Sequence, residues 1–166
     1  MICVTHYQSP LGTYILAASE NGLVCIKPQD NESGYLRSWG HEKITRLDPW
    51  GHLLEIKNQL EAYFAGHLRQ FNTPLDLRGT SFQRDVWTLL CAIPWGETRS
   101  YFQVAEGIGR PRASRAVGGA VGKNPVSIVV PCHRVVGSNG TLTGYADGIE
   151  RKKALLALED YDLPVN

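Results

Sequence analysis

Two copies of one four-residue signal decide much of what the second half of this chain can be. Thr80-Ser81-Phe82-Gln83 and Ser100-Tyr101-Phe102-Gln103 each place a hydroxyl residue three before a glutamine. In such a capping box the hydroxyl accepts from the backbone N–H three residues on, and the glutamine side chain accepts from the N–H of the hydroxyl residue. Behind the first box Phe82, Val86, Leu89, Leu90 and Ile93 recur at helical spacing, and Pro94 and Gly96 stop the helix. Behind the second, Val104 and Ile108 form a short apolar face and Gly109 ends it. Pro111 is expected to open the next helix at its first position, where a missing N–H costs nothing. The outline is a helix-turn-helix, a shape used to read DNA and also for packing alone.

The helix after the turn adds content. Arg112, Arg115, Gly119 and Lys123 fall at steps of three and four and so share a face, with Ala116, Val117, Ala120 and Val121 toward the other. Gly118, Gly119 and Gly122 flank the basic face without bulk. Each glycine costs a helix about 1 kcal/mol relative to alanine. Close approach to an external surface and close packing against a neighbouring helix both account for them.

The first half reads differently. Residues 2–7 and 13–18 are β-prone runs around Ser9-Pro10-Leu11-Gly12, a hairpin turn, and Gly22–Ile26 adds a third strand. Residues 28–48 are polar and rich in turn formers, which predicts a surface loop with little regular structure. Leu53, Ile56, Leu60, Tyr63 and Phe64 then follow a helical period, with Gly66 as the C-terminal stop, and residues 68–79 read as a linker. The 166 residues suit one compact domain or two small lobes. No apolar run is long enough to span a membrane, and the N-terminus lacks the basic start of a secretory signal. Cys3, Cys25, Cys91 and Cys132 are far apart, without metal-ligand or disulfide-framework spacing. That points to free thiols in a reducing cytoplasm.

A net charge of +1 hides an asymmetry. Residues 1–79 carry 7 Lys/Arg against 8 Asp/Glu, whereas residues 80–153 carry 10 against 5. Between Gly107 and Ala146 no acidic residue occurs, while Arg110, Arg112, Arg115, Lys123 and Arg134 all do. Such a stretch suits a polyanion, although five charges can also gather by chance.

A candidate nucleophile lies just beyond. Val126–Val130 reads as a short buried strand, and Pro131-Cys132-His133-Arg134 follows it. A free thiol is only about 3% thiolate at neutral pH, and neighbouring cations raise that fraction. Adjacent strand residues point opposite ways, so Cys132 and His133 need a bend to cooperate. In the last helix Ile149, Leu155 and Leu156 mark the inward face, and Glu159 falls on or beside it. Glu159 either frays into solvent or meets a buried partner, for which His133 is the natural candidate. Thiol, imidazole and carboxylate together follow the logic of an activated nucleophile.

These residues carry a resemblance. Pro131-Cys132-His133-Arg134-Val135, preceded by Gly122-Lys123-Asn124-Pro125 and by Arg115-Ala116-Val117-Gly118-Gly119, resembles the methylated-DNA–protein-cysteine methyltransferases, the O6-alkylguanine-DNA alkyltransferases. The match covers about residues 79–160; the first half matches loosely through Ser9-Pro10-Leu11-Gly12. The resemblance implies an α/β (α+β) fold in two domains. Residues 1–78 would form a small ribonuclease-H-like lobe, and residues 79–166 a mainly helical lobe with the helix-turn-helix. It implies stoichiometric, irreversible repair of O6-alkylguanine, with O4-alkylthymine as a further substrate. Cys132 takes the alkyl group, His133 takes the Cys132 proton through a water, and Glu159 orients His133. Double-stranded DNA carrying the damaged base is the implied partner, bound by a cytoplasmic monomer without metal or organic cofactor.

By the same resemblance the base is flipped from the minor groove. Arg115 fills the space it leaves, and Tyr101 helps rotate the nucleotide. Arg112, Ser114, Gly118, Gly119 and Lys123 complete the DNA face. Asn124 ties the recognition helix to the reactive loop, Tyr145 lines the pocket, and the carbonyls of Cys132 and Val135 accept from the guanine amino group. Ala146 stands where some relatives carry a serine that donates to the base oxygen, leaving its backbone N–H for that task. Ser127 and Asp147 fall near the pocket rim. Three other readings compete: a damage-recognition protein, disfavoured by the presence of Cys132; a sequence-specific regulator, disfavoured by glycines where base-reading side chains belong; and a Cys-His hydrolase, for which no oxyanion hole is evident.

Overall fold

In the first half the strands are buried on both faces along 2–4, 14–18 and 23–26, and those runs are apolar without a break. A computed structural model describes residues 1–163 and divides the chain into two units, Met1–Leu77 and Arg78–Asn166. In the first unit β1 (Ile2–Ser9), β2 (Gly12–Ser19) and β3 (Gly22–Pro28) form an antiparallel meander, and β4 (Ile44–Thr45) pairs parallel to β1. The sheet order is β3-β2-β1-β4. Ile2, Val4, Ile15 and Ala17 face one side and meet Tyr35, Leu36 and Trp39. Helix α2 (His52–Phe64) covers the other side with Leu53, Ile56, Leu60 and Tyr63, and its Lys57 donates to Thr5 Oγ1 at 3.0 Å. Alternate residues of a strand point to opposite faces, so one strand serves both layers.

Residues 28–48 depart from the predicted loop: they hold a 3-10 turn, helix α1 (Glu32–Ser38) and β4. Helix α1 lacks an apolar stripe of its own and is held by Tyr35 and Leu36 against the sheet. The predicted linker is also partly structured, because Leu75 pairs with Leu23. Leu23 N donates to Pro74 O and Asp76 N to Leu23 O, both at 2.8 Å. Gly22 has φ +140°, and a Cβ there would lie 2.4 Å from Pro74 O, so only glycine allows the approach.

The second unit contains α3 (Ser81–Leu90), β5 (Arg99–Ser100), α4 (Tyr101–Gly107), α5 (Ser114–Gly122), β6 (Val135–Val136) and α6 (Ile149–Leu158). Both capping boxes form as the sequence predicts: Gln83 N donates to Thr80 Oγ1 and Gln103 N to Ser100 Oγ, each at 3.1 Å, with both return bonds present. Helices α3, α4 and α5 pack on one another, and the buried Trp87 indole donates to Ala120 O at 2.8 Å. Strands β5 and β6 pair in parallel.

Two local expectations fail. Pro111 does not open α5; it sits in a turn closed by Ala113 N donating to Arg110 O at 2.9 Å, and the helix begins at Ser114. Val126–Val130 is not a strand: a lone bridge residue, Val126, is followed by turns that are buried except at the half-buried Val129. Its β-branched residues favour a strand, but the Asn124 side chain competes for the backbone. Asn124 Oδ1 accepts from Val126 N at 3.0 Å, Val129 N bonds Ser127 O, and Ile128 is driven to φ +74°.

Candidate active site

Pro131 ends the turn segment, and Cys132–Arg134 form one 3-10 turn. That turn supplies the bend that a strand would have denied Cys132 and His133. Cys132 is buried, and its Sγ accepts from Asn124 Nδ2 at 3.0 Å. The same amide nitrogen donates to Val130 O at 2.8 Å, so Asn124, immediately after α5, fixes both the thiol and the chain leading to it.

His133 and Glu159 are fully buried, and His133 Nε2 lies 2.6 Å from Glu159 Oε1. Glu159 caps α6 and does not fray. Arg134 grips the same carboxylate with two bonds, Nε to Oε2 at 2.8 Å and Nη2 to Oε1 at 2.9 Å, and donates a third to Ile93 O at 2.6 Å. Burial alone would raise the Glu159 pKa, but the hydrogen bonds and charges of His133 and Arg134 outweigh it and hold the carboxyl at about 2. Glu159 is therefore an ionised acceptor, and His133 Nε2 must carry the hydrogen between them. Burial pushes the His133 pKa below the usual imidazole value, and the bond to Glu159 opposes that only in part. A neutral His133 protonated at Nε2 keeps a bare lone pair on Nδ1. That atom is buried and has no hydrogen-bond partner among the described residues.

Lys152 is fully buried on α6. Its Nζ donates to Val135 O at 2.7 Å, Thr143 O at 3.2 Å and Gly144 O at 3.3 Å. Burial lowers its pKa to about 8, opposed by the charge of Cys132. The Val135 carbonyl, expected to wait for a base, already takes this ammonium on one of its two lone pairs. Beside these groups lies a cavity of about 360 Å³ lined by Tyr101, Gly118, Val121, Gly122, Gly144, Tyr145 and Ala146. The Tyr101 hydroxyl donates to Thr143 O at 3.5 Å, and burial raises its pKa. Tyr101, Tyr145 and Ala146 thus share one wall system, and the last is exposed.

The outer face of α5 is open. Arg115, Gly119, Gly122 and Lys123 are exposed, as is Arg112 in the preceding turn, and Ser114 starts the helix. A Cβ on Gly119 or Gly122 would meet nothing within 4 Å, and one on Gly118 would only touch the Tyr101 ring at 3.8 Å. Internal packing at Gly119 and Gly122 therefore does not explain the glycines, which leaves close approach from outside. Ala116, assigned by spacing to the inner face, is exposed. The basic stretch is also smaller than its sequence. Arg134 turns inward to Glu159, and Arg110 stands over the Phe82 ring at 5.5 Å.

Sequence reasoning did not single out Lys152 or the clamp by Arg134. The signal for Lys152 was present: Lys152, Leu155, Leu156 and Glu159 lie at steps of three and four, one face of α6. Among the described residues no three His, Cys, Asp or Glu side chains gather as metal ligands would, and no helix is long and apolar enough to cross a membrane.

Residues 81–161 match the family described as 6-O-methylguanine DNA methyltransferase, DNA binding domain, and residues 2–77 match its ribonuclease-like domain. A methylated-DNA–protein-cysteine methyltransferase of Methanosarcina acetivorans is 46% identical over 157 residues, 92% of this chain and 95% of that protein. The crystal structure of Mycobacterium tuberculosis O6-methylguanine methyltransferase superposes with a TM-score of 0.84 at 46% identity, covering 100% of this chain and 97% of that one. The structure of the M. tuberculosis protein in complex with DNA gives 0.81 at 47% identity, covering 95% and 91%.

Proposed function

The chain belongs to the methylated-DNA–protein-cysteine methyltransferase family, and from that premise we infer that its chemistry is a single displacement at Cys132. The substrate is O6-alkylguanine in duplex DNA, with O4-alkylthymine as a further substrate. The Cys132 thiol proton passes through a water to His133 Nδ1. The sulfur attacks the alkyl carbon, the S–C bond forms as the C–O6 bond breaks, and the electron pair stays on O6. The base regains a proton at N1 and guanine is restored. The thioether remains, so each molecule acts once.

The observation that carries this reading is the 2.6 Å contact of His133 Nε2 with Glu159 Oε1, which holds the imidazole hydrogen there and leaves the buried Nδ1 as the basic nitrogen. When His133 takes a proton, Glu159 offsets the new charge at 2.6 Å in a buried site, where such a contact is strong. Asn124 donates to the sulfur and favours its anionic form. No cofactor enters, since the damaged base is itself the alkyl donor.

The DNA side follows from the open face of α5. Helices α4 and α5 act as a helix-turn-helix whose glycines permit close approach to a narrow groove. The damaged nucleotide leaves the stack and enters the cavity beside Tyr101 and Tyr145, while Arg115 fills the gap. Arg112, Ser114 and Lys123 hold phosphates, so binding is salt-sensitive with little sequence preference. The protein works as a cytoplasmic monomer.

The test is a titration of duplex DNA carrying one O6-methylguanine, followed by nucleoside analysis of the DNA. Guanine should be restored up to one equivalent per protein and no further. Turnover beyond one equivalent, or no restoration, would overturn the reading.

A further inference from the structure

The glycines that open the outer face of α5 also leave that helix short of side chains to stiffen it. Gly118, Gly119 and Gly122 are three of its nine residues, and a Cβ on the last two would meet nothing within 4 Å. Glycine leaves a helix backbone more freedom than any other residue. On the inner face Val117, Ala120 and Val121 are buried, but apolar contact is non-directional and does not fix how the last turn is oriented. The last four carbonyls of a helix also lack partners within it. A buried donor supplies both direction and partner: Trp87 Nε1 donates to Ala120 O at 2.8 Å, and Lys123 N donates to the same oxygen at 3.1 Å. Both lone pairs of that carbonyl are thus filled.

The indole is itself held. Trp87 is buried on α3, and its ring lies against Gly79, where a Cβ would come within 2.7 Å of Cη2. Gln83, one turn before Trp87, is tied to Thr80 N at 3.0 Å by the first capping box. At the other end, Ala120 stands one helical turn before Asn124, whose amide donates to Cys132 Sγ at 3.0 Å and to Val130 O at 2.8 Å. Asn124 N donates to Val121 O at 3.2 Å, so its backbone belongs to the turn that the indole anchors. Trp87, Ala120, Val121, Asn124 and Cys132 are all buried, so the path from indole to sulfur is internal and includes none of the exposed residues of α5.

Resting on the reading that Cys132 is the nucleophile, we propose that Trp87 is a positioning residue for alkyl transfer, its indole N–H setting the last turn of α5 so that the Asn124 amide meets the Cys132 sulfur. The indole touches neither the base nor the reacting atoms; it acts through Asn124. A rotation of the last turn would swing Nδ2 away from sulfur, and a hydrogen bond weakens steeply as it misaligns. The thiolate would lose its donor while the outer face kept its charges. Trp87 therefore governs the rate within the bound complex and leaves DNA affinity nearly unchanged. With an outer face of glycine, the stiffness of this turn has to come from inside.

The experiment pairs two substitutions with opposite losses. Trp87→Phe keeps a six-membered ring and deletes the N–H. Trp87→His deletes that ring and keeps a donor, since its Nε2–H can take the place of the indole N–H. Single-turnover transfer from duplex carrying O6-methylguanine is measured at saturating protein, and affinity for undamaged duplex by fluorescence anisotropy. Trp87→Phe should transfer about tenfold more slowly, the worth of one hydrogen bond, with affinity within about twofold of the parent chain. Trp87→His leaves a cavity and should unfold at lower urea than Trp87→Phe, yet transfer at least about threefold faster than it. In an Asn124→Ala background Trp87→Phe should add less than about twofold, because the path to sulfur is already cut. That cycle decides the matter where Trp87→His does not fold. A Trp87→Phe rate within about twofold of the parent, a Trp87→His rate no faster than that of Trp87→Phe, or a further loss of about tenfold in the Asn124→Ala background would overturn the role. A parent chain that transfers no methyl group would instead overturn the underlying function.

Discussion

Asn124 Nδ2 stands 3.0 Å from Cys132 Sγ and divides its two hydrogens between that sulfur and the carbonyl of Val130. With Oδ1 taken by Val126 N, the side chain is fully committed, and it cannot move without releasing both the thiol and its loop. A donor aimed at sulfur stabilises the thiolate more than the thiol. Asn124→Ala should therefore slow transfer by about 10- to 100-fold, the worth of one hydrogen bond to a charged group, about 1.5–3 kcal/mol. Single-turnover kinetics checks this, and an unchanged rate would remove the amide from the chemistry.

The His133–Glu159 contact makes a prediction about tautomers. Glu159→Gln can offer an N–H where the carboxylate accepted, which moves the imidazole hydrogen to Nδ1 and blocks the base. Transfer should fall about 100-fold, within the range general-base catalysis supplies. Glu159→Asp, which keeps the charge, should retain more activity than Glu159→Gln; the reverse order would contradict the assignment.

The same contacts set the acid limit of the fold. His133 has a folded pKa below 6.5, so as pH falls below that value the unfolded chain takes a proton the folded chain refuses, and stability drops. Glu159 has a folded pKa of about 2 against 4.5, so its contribution is complete above 4.5 and is lost as pH falls toward 2. Urea midpoints should decline from pH 7 downward, and Glu159→Gln should flatten the portion below 4.5. Arg134→Ala leaves the buried carboxylate without its clamp and should cost about 3–5 kcal/mol at neutral pH.

Lys152 has the same sign in an alkaline window. Its folded pKa of about 8 lies below 10.5, so between those values the unfolded chain holds a proton that the folded chain lacks. Lys152 therefore makes stability rise with pH from about 8 toward 10.5. Lys152→Met should remove that rise and, by stranding three carbonyls, slow transfer. Unfolding measured from pH 7.5 to 10 in both proteins gives the comparison, and parallel curves would rule out the titration.

A substitution at Gly119 should separate folding from DNA binding. A side chain there meets open space, and the helix gains about 1 kcal/mol on replacing glycine by alanine. Gly119→Leu should be at least as stable as the parent chain yet bind duplex DNA about tenfold more weakly. Unfolding and fluorescence-anisotropy titrations check the two halves; unchanged affinity would move the groove-facing surface off α5.

Local signals were the most legible in the sequence. Both capping boxes formed because their bonds lie within four residues, and Glu159 pointed inward because its helical phase with Leu155 and Leu156 is a local property. Helix α1 was hidden because Tyr35 and Leu36 stabilise it only by meeting a distant sheet. The Val126–Val130 segment misled because its composition favours a strand, while one side chain, Asn124, takes the backbone hydrogen bond a strand needs. Arg134 read as part of a basic surface because its partner lies 25 residues away in sequence.

In the proposed reaction Cys132 is the final acceptor of the alkyl group. Intact-protein mass spectrometry after mixing with excess duplex carrying O6-methylguanine, followed by peptide mapping, tests that role. The expected result is a gain of one methyl group per molecule, located on Cys132, and no gain in Cys132→Ala. A methyl group on any other residue, or binding without a change of mass, would contradict it.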